Sequence, residues 1–229
     1  MSDPHPEMVI SRRGQTGVIY VRDGTSDLSL ALGTFSNSWA TGDDEYDLEN
    51  LHVSGVFVDI GAHIGVVSLA VLFDNPEASA ILVEPFPENL AMARQTMETN
   101  GLADRTSFIE AAVGRGDIRY GGEDADDRYV GNIGSHTGPT IQAPIVTLPQ
   151  LVKMAGGRIA AMKLDCEGGE WKFLTSKMVR HVDLIFGEWH GYTKKFDGPT
   201  RLRKLLDPTH DFTLLTDVGG IGLFRAVRR

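Results

Sequence analysis

Apolar positions along this chain fall into two rhythms, and the clearest change from one to the other comes near residue 56. Val56-Phe57-Val58 leads through Asp59 and Ile60 to Gly61, and after Gly65 the nearly unbroken apolar run of residues 66–70 takes up a helical pattern. That order predicts strand, tight turn and helix. Residues 80–83 form a second buried run ending at Glu84. Pro87 then opens a helix with Leu90, Ala93 and Met97 on one face, which Asn100-Gly101 closes as a left-handed cap. Strands are predicted over 106–113, 141–146 and 159–165, with a short helix from Thr147 through Val152. Gly168-Gly169 turns the chain into a helix carrying Trp171, Phe173 and Leu174, and residues 182–186 run on as a strand to Glu188, Trp189 and His190. A helix over 200–206 and strands over 212–215 and 221–224 complete the pattern. Strand alternating with helix defines an α/β fold with a mostly parallel sheet.

The first 50 residues read as an extension. Residues 1–17 are polar and suggest a frayed terminus. Residues 17–20 and Leu28-Ser29-Leu30 alternate on either side of the turn-rich 22–27, which predicts a small β-hairpin or β-flap. Residues 51–229 then form one globular unit. Gly42-Asp43-Asp44-Glu45-Tyr46 is an acidic loop that is either solvated surface or part of an active-site mouth. Residues 114–138, with little periodicity and many glycines, read as a lid or a disordered loop.

Composition narrows the partners. At 229 residues, 41% hydrophobic and 23% charged, the chain is long enough for a substantial core, and no apolar run approaches the roughly 20 residues of a membrane span. The polar start has no signal-peptide pattern, so a cytoplasmic setting is the default expectation. Lone Cys166 forms no internal disulfide and reads as a packed residue. A net charge of −9 without a basic stripe argues against nucleic acid as a partner. No oligomeric state is set, and a homodimer is compatible with the sequence.

Ligands of open α/β sheets bind beyond the carboxyl ends of the strands, and four of those ends are acidic here: Asp59, Glu84, Asp165 and Glu188. Asp59-Ile60-Gly61 with Gly65 is not the dinucleotide fingerprint, which needs G-x-G-x-x-G, so an NAD-dependent dehydrogenase is disfavoured. An acid before the glycine turn suits a ligand with a positive or hydrogen-bond-donating end, and Glu84 stands where a ribose diol is gripped. Together these features read as a site for S-adenosylmethionine. Glu84 takes the ribose, the glycine turn lies under the amino-acid portion, Asp59 is directed at the polar end, and Ala111-Ala112 leave room for adenine. His63 contributes shape and one hydrogen bond. Methyl transfer to a hydroxyl needs positioning and a proton acceptor. His190, two residues from Glu188, is the candidate base, and Asp165 with Glu188 could instead hold Mg²⁺, whose charge would acidify the hydroxyl. Glu170 reads as a helix-start residue. Tyr46, Asn132, His136 and Glu167 are the candidate acceptor contacts, and Trp39, Trp189 and Tyr192 are available to stack on sugar faces.

Four strings occur together in order: Val58-Asp59-Ile60-Gly61-Ala62-His63-Ile64-Gly65, Val83-Glu84-Pro85-Phe86-Pro87-Glu88-Asn89, Ala111-Ala112-Val113-Gly114 and Met162-Lys163-Leu164-Asp165-Cys166-Glu167-Gly168-Gly169-Glu170. In this the chain resembles the FkbM-type S-adenosylmethionine-dependent methyltransferases, and Arg22-Asp23-Gly24-Thr25-Ser26-Asp27 with Glu45-Tyr46 is similar to their upstream segment. The resemblance implies a class I methyltransferase (Rossmann-like) fold with a seven-stranded sheet and a last antiparallel strand. It also implies O-methylation, often of a sugar or polyketide-type product. By position, Asp59, Gly61, Glu84, Asn89 and Ala112 would bind cofactor, with Asp165 beside the methyl donor; His63, Gly65 and Pro85 complete the expected cofactor contacts. His63 departs from the commoner Asn at its position. The leading expectation is therefore an O-methyltransferase of a saccharide or glycosylated metabolite. N-methylation of a cationic amine is the alternative, and a non-catalytic cofactor-binding subunit is a third reading that the four strand-end acids disfavour.

Overall fold

The computed structural model describes residues 6–35, 46–114, 117–120, 131–132, 140–175, 177–191 and 197–229. Its first elements depart from the pattern-based expectation. Strands β1 (Glu7–Arg12) and β2 (Gln15–Tyr20) pair antiparallel with Arg12 opposite Gln15. Arg13 and Gly14, at φ 47° and 81°, form the two-residue turn whose twist suits a hairpin. The predicted hairpin therefore exists, but ten residues or so earlier in the chain, and the predicted fray over 7–17 is strand. The second half of the expected hairpin is instead helix α1 (Asp27–Phe35). Its buried positions are Asp27, Ala31 and Phe35, four apart, while Leu28, Leu30 and Leu32, whose alternation suggests strand, are exposed.

The main sheet follows the sequence pattern closely. Strand β3 (Val56–Ile60) leads to α2 (Val66–Asp74), β4 (Ser79–Glu84) to α3 (Pro87–Thr99), and β5 (Thr106–Glu110) stops three residues short of the predicted end. Within the expected lid region, β6 (Asp117–Tyr120) and β7 (Gly131–Asn132) join β8 (Thr140–Gln142) in a three-stranded sheet of order β7-β6-β8. Strand β8 is much shorter than the 141–146 run; beyond it, a single parallel bridge links Ile145 to Ala112. Helix α4 (Leu148–Met154), capped by the Thr147–Gln150 box, precedes β9 (Ile159–Leu164), and the four-residue α5 (Glu170–Phe173) precedes β10 (Val182–His190). Helix α6 (Gly198–Leu206) and strands β11 (His210–Leu214) and β12 (Ile221–Arg228) finish the chain.

The seven-stranded sheet runs β11-β12-β10-β9-β3-β4-β5. Strand β12 is antiparallel to both its neighbours, and the pairings among β10, β9, β3, β4 and β5 are parallel. Alternate residues face opposite layers. Phe57, Leu82, Ala161 and Phe186 join a core with α1, α2, α3 and the hairpin, and Val58, Ile81, Met162 and Ile185 join a second core with α4 and α6. The N-terminal segment thus shares its core with the helices of the glycine-turn side. Asn100 ties it down: the side chain accepts from Val18 N at 2.9 Å and donates to Val18 O and Thr96 O, each at 2.7 Å. Gly17 permits this approach, since a methyl there would collide with Asn100 and Phe73.

Three hydrogen bonds to half-buried backbone make Asn100 the joint between hairpin and α3. Asn100→Ala is expected to cost about 2–3 kcal/mol. Chemical denaturation measures this loss, and hydrogen exchange should quicken first in β2; slow exchange there with unchanged stability would contradict the role.

Candidate active site

The glycine turn is built by close contact. Gly61 (φ 72°) lies against the backbone of Asp165 so tightly that a Cβ would collide with the Asp165 carbonyl, and its backbone N–H donates to Val83 O at 3.0 Å. His63 takes the left-handed conformation at φ 50°, and its backbone N–H donates to Glu84 Oε2 at 2.9 Å. Glu84 Oε1 accepts from Phe86 N and Asn89 Nδ2 at 3.1 and 3.2 Å. Burial raises the Glu84 carboxyl to about 7 against these three donors. Pro85 is half-buried beside it, Gly65 caps α2, and Ala112 packs with Phe86 in a small apolar cluster.

Asp59 sits beneath the turn. It has no exposed surface; Oδ2 accepts from Ser68 Oγ at 2.7 Å and Oδ1 lies 3.5 Å from Lys163 Nζ. The expectation that its carboxylate points at a ligand gives way to a supporting position. Lys163, buried as well, donates to Gly61 O at 2.9 Å and lies 3.6 Å from Asp165 Oδ2. In the sequence Lys163 appears only within the family-like string; its pairing opposite Asp59 across β3 and β9 places it on the same face.

A cavity of about 370 Å³ opens over Gly61, Ala62 and His63. That size is within the range of small-ligand sites. Asp165, Glu167, Glu188 and Lys163 line one side, and Ser29, Leu30, Gly33 and Thr34 of α1 with Tyr46 and Leu48 line the other. The Tyr46 hydroxyl donates to Asp165 Oδ2 at 3.3 Å. His190 is buried, with Nε2 3.1 Å from Glu188 Oε2 and 3.4 Å from Glu167 Oε2. Burial lowers the imidazole pKa, but the Glu188 hydrogen bond and the charges of Glu167, Glu170 and Asp165 outweigh it and raise it to about 9. The ring is therefore protonated at neutral pH, against the expectation of a neutral base. Burial, countered by His190, lifts Glu167 to about 7. Asp165, Glu188 and His190 each offer a ligand atom within 4.8 Å of the others, a geometry open to a divalent cation. His63 is held neutral, burial lowering it to about 4 against the pull of Asp27. Burial drives the Cys166 thiol well above its ordinary range, in keeping with a packed residue.

Glu170 begins α5 as expected, yet its carboxylate reaches elsewhere. Fully buried, it accepts from His190 N at 2.6 Å and Gly168 N at 3.0 Å, clamping the loop after β9 to the end of β10. Its K-x-D-x-E-G-x-E string marked it in the sequence, but a partner twenty residues away carries no local signal. Trp189 is core, 1% exposed, and Trp171 donates to His190 O at 2.6 Å. His136, Trp39 and Tyr192 lie outside the described residues, and of Asn132 only the backbone is described.

The strand order, with one antiparallel strand inserted next to the edge, and a ligand-sized cavity at the strand ends define a class I methyltransferase fold. The N-terminal domain of EvdMO1, crystallised in the presence of SAH and D-fucose, superposes with a TM-score of 0.53 at 12% identity, covering 100% of this chain and 92% of that one. A T. thermophilus 16S rRNA N2 G1207 methyltransferase in complex with AdoMet and guanosine matches equally, TM-score 0.53 and 12% identity, over 100% of this chain and 52% of that one. At such identities the likeness is one of fold. The methyltransferase FkbM domain model matches residues 59–216, more than half of the sequence, and the chain belongs to that family of S-adenosylmethionine-dependent methyltransferases. No curated protein matches the sequence significantly. Among the described residues no helix is long and apolar enough to cross a membrane.

Removing the Glu170 clamp leaves two buried backbone donors unpaired. Glu170→Ala is expected to cost roughly 3 kcal/mol, and Glu170→Gln, which keeps an acceptor oxygen, less. Denaturant titration distinguishes them; equal, small losses would refute the clamp.

Proposed function

We propose that this chain transfers the methyl group of S-adenosylmethionine to a hydroxyl of a saccharide or of a glycosylated or polyketide-type metabolite. The observation that carries the reading is the convergence of Asp165, Glu167 and Glu188 on one side of a cavity floored by the glycine turn, with His190 set against Glu167 and Glu188. The donor set fits the cofactor, because a wall of carboxylates suits a cationic sulfonium and an ammonium. When bound, the cofactor supplies an electrophilic methyl group.

The residues of the chain do the rest. Gly61, Ala62 and His63 present the turn beneath the amino-acid end, Glu84 with Asn89 and Pro85 faces the ribose, and Ala112 borders the adenine. Asp59 keeps the turn in shape from below. Asp165 and Tyr46 orient the acceptor at the open side. The acceptor proton passes to the carboxylate of Glu167, poised at about 7, while His190, protonated below about 9, holds Glu167 and Glu188 together. The same carboxylates would receive a cationic amine, which makes N-methylation the second reading. A divalent cation such as Mg²⁺ on Asp165, Glu188 and His190 would acidify a hydroxyl instead.

Labelled methyl transfer to a panel of sugars, glycosides and amines, each with Mg²⁺ and with a chelator, separates these outcomes. The expected result is labelled hydroxyl products without a metal requirement. Labelled amines alone would overturn O-methylation, and chelator-sensitive transfer would move activation to a cation.

The two titrations set the pH profile. Glu167 must be ionised, so kcat/KM should rise as pH climbs through about 7; the imidazolium must persist, so it should fall through about 9. Glu167→Gln should lower kcat about 100-fold and remove the acid limb. An unchanged profile in that variant would exclude Glu167 as the proton acceptor.

A further inference from the structure

Next to the glycine turn lies an ion pair that the chemistry above leaves unused. Asp27, with no exposed surface, accepts from Arg22 N at 2.9 Å, Arg22 Nε at 2.7 Å and Arg22 Nη2 at 2.9 Å. Three donors from one residue already hold this carboxylate. Even so, Asp27 Oδ1 lies 3.6 Å from His63 Nε2, and neither ring nitrogen of His63 has a hydrogen-bond partner among the described residues. Asp27 exerts the strongest pull of the charges around that ring, which also include Arg22, Lys163 and Asp165.

His63 is a demanding residue to leave unsupported. At φ 50° it occupies the left-handed region, which residues with a side chain seldom adopt, and its backbone N–H has to stay aimed at Glu84 Oε2. A neutral imidazole that turns its Nε2 edge toward a fixed carboxylate 3.6 Å away keeps the residue in that conformation through its ring dipole. Asp27 is also the first residue of α1, whose Ser29, Leu30, Gly33 and Thr34 wall the cavity opposite the strand ends. One contact thus joins the floor of the cavity to its far wall.

We propose that Asp27, fixed by Arg22, is a positioning residue for the glycine turn, acting through His63 so that the turn and α1 respond to the cofactor as one unit. The inference rests on the reading of that turn as the cofactor site. Asn tolerates the left-handed region on its own. His63→Asn should therefore free the turn from Asp27.

The experiment is a double-mutant cycle read by calorimetric titration of S-adenosylhomocysteine into wild type, Asp27→Asn, His63→Asn and the double variant, with unfolding of each cofactor-free protein measured in urea. Asp27→Asn is expected to weaken binding about tenfold when His63 is present and less than about twofold in the His63→Asn background. Its loss of stability without cofactor should be somewhat smaller in the His63→Asn background as well, most of that loss coming from the Arg22 pair. Equal weakening in both would overturn the proposal and leave Asp27 as part of the corner's fold alone.

Should Asp27→Asn fail to fold, hydrogen exchange on wild type and His63→Asn decides. Cofactor product should slow exchange over residues 28–35 about tenfold in wild type and less than about threefold in the variant. Equal protection would overturn the coupling. Failure of wild type to bind S-adenosylhomocysteine would sink the functional reading and this inference together, whereas a bound wild type with a flat cycle sinks only the inference.

Discussion

Everything at the catalytic end of the sheet depends on one buried cation. Lys163 Nζ is within 2.9 Å of Gly61 O, 3.5 Å of Asp59 and 3.6 Å of Asp165, so a single ammonium spans the ends of β3 and β9. Buried charges are costly unless paired, and this one is paired on both sides with a backbone carbonyl between. Without it, two carboxylates on neighbouring strands would face each other in a poorly solvated space. With it, Gly61 can sit against the Asp165 carbonyl and the turn keeps its shape.

The acids beyond Lys163 are arranged by a second device. Glu167 stands at φ 51°, which a residue with a side chain seldom holds, beside Gly168 at φ 97°, which glycine adopts freely. Glu170 makes them persist by accepting from Gly168 N and His190 N, which fixes the loop after β9 against the end of β10. His190 then enters between Glu167 and Glu188. The strain is local and the clamp is buried, so groups with shifted proton affinities are set in place before any ligand arrives. Preorganisation of this kind requires the supporting residues to be as rigid as the reactive ones.

Much of this was legible in the sequence wherever the signal is local. The parallel core strands, the helix from Pro87 and the acids at the strand ends follow from short apolar runs, turn residues and position. The N-terminal segment misled because Leu28, Leu30 and Leu32 alternate as a strand would, whereas α1 buries Asp27, Ala31 and Phe35. A buried acid paired with Arg22 has no apolar signature. Arg13-Gly14 lacks the Asn-Gly or Asp-Gly signal of a tight hairpin, so β1 was hidden as well. The protonation of His190 was equally out of reach: Glu188 is two residues away, but Glu167 and Glu170 arrive only through the fold.

The cavity has two sources, and they differ in chemistry. Gly61, Ala62, His63, Asp165, Glu167 and Glu188 lie within residues 59–216, the part of the chain that matches the family. Ser29, Leu30, Gly33, Thr34, Tyr46 and Leu48 precede it. The first group holds nearly all the charge, and the second offers hydroxyls, apolar surface and glycine. A wall of that second kind shapes a space without setting its proton chemistry. The charged and the uncharged parts of the lining thus fall on opposite sides of residue 59 along the chain. Helix α1, held by the Arg22–Asp27 pair, therefore walls the cavity opposite the strand ends, while the hairpin, anchored through Asn100, supports it from the shared core.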